Sequence, residues 1–455
     1  MRMVDQPTDS ALSDVDGHHH AVVVVGGGQA GLSMSWLLTE RGIDHVVLER
    51  NRVGGEWRDH RWETFCLVTP NWQCQLPGFP YQGDDPDGFM VRDQIIEYLE
   101  RYARSFPVPL VEGVEAVSLR RAADGVFQLG TSAGRLTADQ VVLATGPYQV
   151  PLRPRMAERL PAGIAQLHSS EYRSPDQLPP GPVLVVGTGQ SGCQIAEDLH
   201  LAGREVHLAT GGAPRVARFY RGRDVVTWLH DMGYYQRGID QFDDADAVRF
   251  RANHYVTGRD GGRDIDLRLF AAQGMRLYGR LTGISGAHLD FDTNLKSNLD
   301  SADAVSESIK DSVDRWIEQQ GIDAPTEARY VPVWTPEAEQ TELDLADARI
   351  STVIWCTGFG RDHRWIELPI FDGRGYPTHE RGVSSCPGLY LLGLPWQYTW
   401  GSGRFSGVAA DAEHLAEQIV AARHRRLAGG VHWIAGTPNS TYPRDEDWTA
   451  PRTVA

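Results

Sequence analysis

The sequence predicts an α/β chain built on two Rossmann-like dinucleotide-binding units, and three observations carry that reading. Val22-Val-Val-Val-Gly-Gly-Gly-Gln-Ala-Gly31, a helical run to Gly42 and Ile43-Asp-His-Val-Val-Leu-Glu49 spell a buried strand, a glycine turn, a helix and a second strand. The same four pieces return in Val183-Leu-Val-Val-Gly-Thr-Gly-Gln-Ser-Gly192, a run to Gly203 and a strand ending at Thr210. The copies align without a gap, so Gly26, Gly28, Gly31 and Gly42 fall on Gly187, Gly189, Gly192 and Gly203.

Each turn sits between an apolar β-branched run and a helix, the context a dinucleotide turn needs. The first glycine makes the tight turn, the second lets the backbone approach a pyrophosphate, and the third lets helix and strand pack closely. Gln29 and Ala30 in one copy, and Gln190 and Ser191 in the other, then open a helix whose free N–H groups receive negative charge.

The copies differ where nucleotides are told apart. Eighteen residues past Gly31 stands Glu49, a carboxylate suited to the ribose hydroxyls of FAD or NAD. The matching position past Gly192 is Thr210, followed by Arg215, Arg218, Arg221 and Arg223. A missing acid followed by arginines suits a 2′-phosphate, which favours NADPH over NADH; a solvated or substrate-binding arginine face is the alternative. A nicotinamide that reduces a flavin is the natural pairing of two such sites.

At 455 residues the chain is expected to exceed one core. Its formal net charge of −16 argues against nucleic acid and anionic membrane as partners. No apolar run reaches the roughly 20 residues of a bilayer span, and no signal segment opens the chain. Five cysteines, Cys66, Cys74, Cys193, Cys356 and Cys386, without a CxxC spacing fit a reducing cytoplasm and count against a redox-active pair. No metal site is expected; His18-His19-His20 reads as tail-like. A homodimer is left open.

Residues 1–20 read as a disordered tail. After Glu49 comes Arg50 and a loop crowded with glycine and aromatic residues, Gly54-Gly-Glu-Trp57 and Arg61-Trp62, which reads either as a flavin neighbour or as a packed loop. Leu67-Val-Thr69-Pro-Asn71-Trp and Leu76-Pro-Gly-Phe-Pro-Tyr81 follow. Here the chain resembles the class B flavin-containing monooxygenases, and within them a bacterial group often encoded beside nitrilase-type genes. The similarity runs over about residues 20–425. It implies that the NAD(P)-binding domain is inserted into the FAD-binding domain, giving 21–150 and 346–427 to the FAD domain, 151–345 to the NAD(P) domain with a helical insertion, and 428–455 to a tail.

Onward, 90–102 reads as a helix, and strands are expected near 114–119, where Val114 counts among the cofactor contacts, and 127–130, with Asp124-Gly125 as the turn. Val141-Val-Leu-Ala-Thr145-Gly146 is a buried strand that, by the resemblance, closes the flavin fold and crosses to the second domain. Gly163-Ile-Ala-Gln-Leu-His168-Ser-Ser-Glu-Tyr172 is similar to the fingerprint of these monooxygenases, with Pro161 at its phenylalanine position, a glycine-to-histidine gap one residue longer and no Baeyer–Villiger tryptophan. His168 reads as a linker residue in preference to a catalytic base. Pro175–Pro182 is a linker. A long helix is expected over about 299–320, with Val305, Ile309, Val313, Trp316 and Ile317 on one face, and an edge segment over 329–334.

Val353-Ile-Trp-Cys-Thr357-Gly358 resembles the family's second crossing. A last strand ends near Gly393, where Leu394 replaces the relatives' ribityl-binding aspartate. The segment 400–407 leads into a helix over about 408–424, expected beside the flavin. The reaction implied is hydride transfer from NADPH to FAD, formation of a C4a-hydroperoxyflavin with molecular oxygen, and oxygenation of a small nitrogen- or sulfur-containing substrate. Asn71 is the candidate amide donor to that flavin adduct, with a turn asparagine as the alternative. Two other functions stay open: a flavin reductase that passes electrons to a quinone or protein, and a non-catalytic redox sensor.

Overall fold

The computed structural model describes residues 15–429. Two mainly parallel sheets repeat one strand order. In the first, a nine-stranded sheet, the parallel core runs Leu389–Leu391, Gly134–Leu143, His19–Val25, His45–Glu49, Leu110–Glu112. Antiparallel strands Ala116–Arg121 and Phe127–Thr131 extend from Gly134–Leu143, turning where Asp124 accepts the Val126 N–H. The second, five-stranded and all parallel, runs Ala165–His168, Thr352–Trp355, Val183–Val186, Val206–Ala209, Arg276–Tyr278. In both, the strand that enters the glycine turn lies in the middle.

The apolar runs are continuous because these strands are covered on both faces. Val22 and Val24 pack on one side with Leu32, Leu38 and the helix Val408–Gly429; Val23 and Val25 pack on the other with Leu119, Val141 and Leu143. Val183 and Val185 face Ile195 and Leu199, while Leu184 and Val186 face Ile284 and Leu289. Alternation along a strand sends successive side chains to opposite layers, so one run of four builds two cores.

Several expectations shift. The ordered chain begins before residue 20: Val15 is fully buried and the first strand starts at His19. Residues 1–14 and 430–455, which hold most of the two expected tails, lie outside the described residues. The early helix is Arg92–Arg104, and the long helix is Leu295–Gln320, with Leu299, Ala302, Ser306, Lys310, Val313 and Ile317 buried. Residues 329–334 join no strand. Val331 is 75% exposed, Pro332 offers no N–H, and the segment is held instead by Tyr330 Oη on Asp266 and by Arg268 on the Trp334 carbonyl. A boundary at 346 falls before a strand of the second sheet, since Thr352–Trp355 sits between Ala165–His168 and Val183–Val186.

Candidate functional site

The two turns have the same geometry. Gly26 lies at φ +111°, and a Cβ there would meet the Ala144 carbonyl oxygen at 2.4 Å; a Cβ on Gly31 would stand 1.8 Å from the Gly26 carbonyl oxygen. In the second turn Gly187 lies at φ +106°, with the Cys356 carbonyl oxygen 2.7 Å from a built Cβ, and Gly192 would meet the Gly187 oxygen at 1.9 Å. Around Gly28 and Gly189 a Cβ meets nothing within 4 Å. The protein itself therefore requires the first and third glycines, while the middle one leaves open space above a helix start. The helices Gln29–Glu40 and Gln190–Leu201 carry no side-chain cap and no acidic residue in their first turns, so their N-terminal N–H groups are left for an outside anion. This cradle fits the pyrophosphate of a dinucleotide in both places.

Around the first turn, Glu49 is fixed at its strand end by the N–H groups of Gly27 (2.7 Å) and Asn51 (2.8 Å). Arg50 beside it is exposed. The Val114 N–H donates to the Glu49 carbonyl at 2.9 Å, which fastens the neighbouring loop. Gln29 Nε2 donates to the Gly403 carbonyl at 3.0 Å, and a Cβ on Gly393, at φ +89°, would stand 2.9 Å from that of Ala30. The segment 393–407 thus lies against the start of the first helix. Half-buried Trp57 stacks on Phe405 at 5.9 Å, with Arg61 over its ring; Thr69 is half-buried.

The two crossings run side by side. Phe359–Gly360 pairs with Val150–Pro151, and Thr357 Oγ1 donates to the Leu152 carbonyl at 2.5 Å. Gln149 Nε2 ties Thr145 Oγ1 (3.0 Å) to the Gly146 carbonyl (2.9 Å). His168, fully buried, holds Ser170 Oγ at 2.9 Å and the Gly358 carbonyl at 3.0 Å. Burial lowers its pKa, so it is a neutral fastener between the crossings.

At the second turn Gln190 Nε2 donates to the Val256 carbonyl at 2.5 Å, and Ser191 is half-buried. Thr210 is buried, with Asn298 Nδ2 3.1 Å from its hydroxyl. The arginines beyond it do not behave as the sequence suggested. Arg215 is buried on Asp303 (2.6 Å), with Asp264 at 3.7 Å and the Tyr330 ring beneath its guanidinium at 4.1 Å. Arg218, 1% exposed, pairs with Asp224 at 2.5 Å and donates to the Val68 carbonyl at 2.6 Å. A guanidinium taken out of water needs matched charge, and here Asp303 and Asp224 provide it.

Asn71 also turns out differently. It is buried; Nδ2 donates to the Asp85 carbonyl at 2.9 Å and Oδ1 accepts the Met90 N–H at 2.7 Å. The amide fastens the 85–90 loop, which is the turn-asparagine alternative.

Three groups escaped the sequence reading. Asp198 accepts from Tyr172 Oη (2.6 Å), Thr64 Oγ1 (2.7 Å) and Arg259 (2.8 Å), pinning the two nucleotide units together. Next to it, burial raises the Glu197 carboxyl to about 7, against the pull of Arg263 and Arg259. Two acids inside the apolar run of the second helix were the available signal. Asp411, buried, is raised to about 6.

Residues 23–252 match a family described as pyridine nucleotide-disulphide oxidoreductase. The chain belongs to this family. It is 34% identical over 405 residues to a CzcO-like oxidoreductase of Geobacillus kaustophilus, covering 88% of this chain and 98% of the relative. Over 194 residues it is 34% identical to indole-3-pyruvate monooxygenase YUCCA4 of Oryza sativa, covering 39% of this chain and 44% of the relative. The fold matches the flavin-containing monooxygenase of Stenotrophomonas maltophilia with a TM-score of 0.62 at 20% identity, over 89% and 99% of the two chains. The chain is an oxidoreductase with the two-domain flavin-monooxygenase fold. The disulphide in the family's description finds no counterpart in the thiols. All five cysteines are free, burial pushes Cys66 up to about 11 and Cys74 to about 12, and Cys193, Cys356 and Cys386 are raised as well. None is a thiolate at neutral pH. Among the described residues no helix is long and apolar enough to cross a membrane, and no group of three metal-ligating side chains gathers.

Proposed function

We propose that the chain is a flavin-dependent monooxygenase that holds FAD at the first turn and NADPH at the second, and oxygenates a small nitrogen- or sulfur-containing molecule. One observation carries the reading: two glycine cradles of equal geometry, each open only at the glycine that a pyrophosphate would approach, end in different residues, Glu49 and Thr210. When bound, the nicotinamide supplies a hydride, and the flavin accepts it and activates oxygen.

The residues of this chain supply position and shelter. Gly26–Gly31 and the first helix start take the FAD pyrophosphate, Glu49 faces its ribose, and Gly187–Gly192 take that of NADPH. His168 and the paired crossings set the angle between the units, and the aromatic pair Trp57–Phe405 walls water from the first site. A relative that bears a monooxygenase name, YUCCA4, supports this reading over that of a reductase.

The test is anaerobic reduction by NADPH followed by labelled oxygen with panels of amines, oximes and sulfides. Label in a product supports oxygenation. Electron delivery to quinones without label would replace it with the reductase.

A further inference from the structure

In a chain of net charge −16, arginines are expected to find carboxylates, and most do. Three that gather at one place do not: Arg237, Arg251 and Arg404 form no ion pair among the described residues, and all three act on the charge of Tyr234. The groups that act on Arg404 are the neutral phenols of Tyr148, Tyr235 and Tyr234. Asp224, the acid that bears on Tyr235, is already bridged to Arg218 at 2.5 Å. The Arg404 guanidinium lies 4.0 Å from the Trp400 ring, and that ring packs on Tyr235 at 4.6 Å. Its contacts are uncharged: it donates to the Trp400 carbonyl, and Nη2 donates to Asn253 Oδ1 at 3.0 Å.

The position is informative. Gly403, the residue before, takes the hydrogen bond from Gln29 at the first helix start, and Phe405, the residue after, stacks on Trp57. Arg404 therefore stands at the first turn, where segment 234–254 of the second unit comes down on segment 396–404 of the first; Ile239 N–H donates to the Tyr398 carbonyl at 2.6 Å. A guanidinium held in an aromatic recess without a counter-charge is costly unless an anion from outside completes it, and its planar fork matches a carboxylate.

We propose that Arg404, held on the Trp400 ring that packs on Tyr235, binds the carboxylate of the substrate, so that the molecule oxygenated is a small acid with an apolar or aromatic body. This rests on the monooxygenase reading for its role, but binding is read without turnover. Arg237 and Arg251 form the positive rim that draws the acid in.

Calorimetric titration of the flavin-loaded protein with phenylacetate and with its neutral isostere phenylacetamide tests the proposal. Phenylacetate is expected to bind at least about tenfold more tightly than the amide, the value of a charge-assisted pair. R404Q should lose that difference and R404K keep part of it, both with full flavin content. Equal affinity for acid and amide, or no binding of either, overturns the proposal without touching NADPH-driven flavin reduction. So does R404Q protein purified without flavin or with NADPH affinity lost, since the arginine would then serve a cofactor phosphate.

Discussion

His168 Nε2 lies 3.0 Å from the Gly358 carbonyl oxygen, joining the strand that leaves the first crossing to the turn that ends the second. The imidazole is neutral and buried, so its function here is geometric. His168→Ala removes a fully buried ring and one of the two donors to the Gly358 carbonyl, which keeps the Leu152 N–H at 3.0 Å, and should cost about 1–3 kcal/mol of stability in urea unfolding. It should also slow flavin reduction by NADPH while leaving flavin content intact. A pH profile of reduction that keeps its shape in the variant separates positioning from acid–base chemistry.

The glycines divide by what they face. Gly31→Ala pushes a methyl into the Gly26 carbonyl at 1.8 Å, so little folded protein is expected. Gly28→Ala meets no protein atom, so the chain should fold with its circular dichroism unchanged and yet be purified without flavin. Gly189→Ala should keep flavin and raise the KM for NADPH tenfold or more. Equal cofactor binding in both variants would remove the cradles from the account.

Arg215 was, with Arg218, Arg221 and Arg223, among the sequence's candidates for telling NADPH from NADH, and in the fold it pairs with Asp303. Arg215→Gln removes one of the two arginines on half-buried Asp303, which keeps Arg268 at 2.8 Å, and should cost roughly 1–3 kcal/mol in denaturant unfolding, with the NADPH-to-NADH preference unchanged. A collapse of that preference in a stable variant would return the arginine to the nucleotide site.

Glu197 provides a pH signature. Its folded-state value, about 7, lies above the ordinary 4.5, so the folded protein holds this proton where the unfolded chain has released it. The stability from this group is full below about pH 4.5 and is lost as pH rises through about 7. The Tm of Glu197→Gln relative to the parent should therefore rise from about pH 5 to about pH 8. A difference that stays flat would place the carboxylate as charged throughout.

The fold was legible because its signal is local. Val22–Val25 and Val183–Val186 are apolar throughout, the glycines fall at fixed spacing, and backbone sterics at Gly26 and Gly31 leave little choice. The partners of Arg215, Arg218 and Asn71 were not legible, for the opposite reason. A side chain's partner is set by tertiary contact, and Asp303, Asp224 and the 85–90 loop lie up to 88 residues away from them. Arg404 was invisible because what marks it is the lack of a carboxylate around it, and no spacing in the chain records that.

The central claim is that one chain carries two different dinucleotides and passes electrons from one to the other. It is tested most directly by mixing purified holoprotein with NADPH in the absence of oxygen and following the flavin's visible absorbance. Bleaching is expected at one NADPH per flavin, faster than with NADH and slowed in Gly189→Ala at the same NADPH concentration. A flavin that stays oxidised with both nucleotides, in protein that binds them, would contradict it.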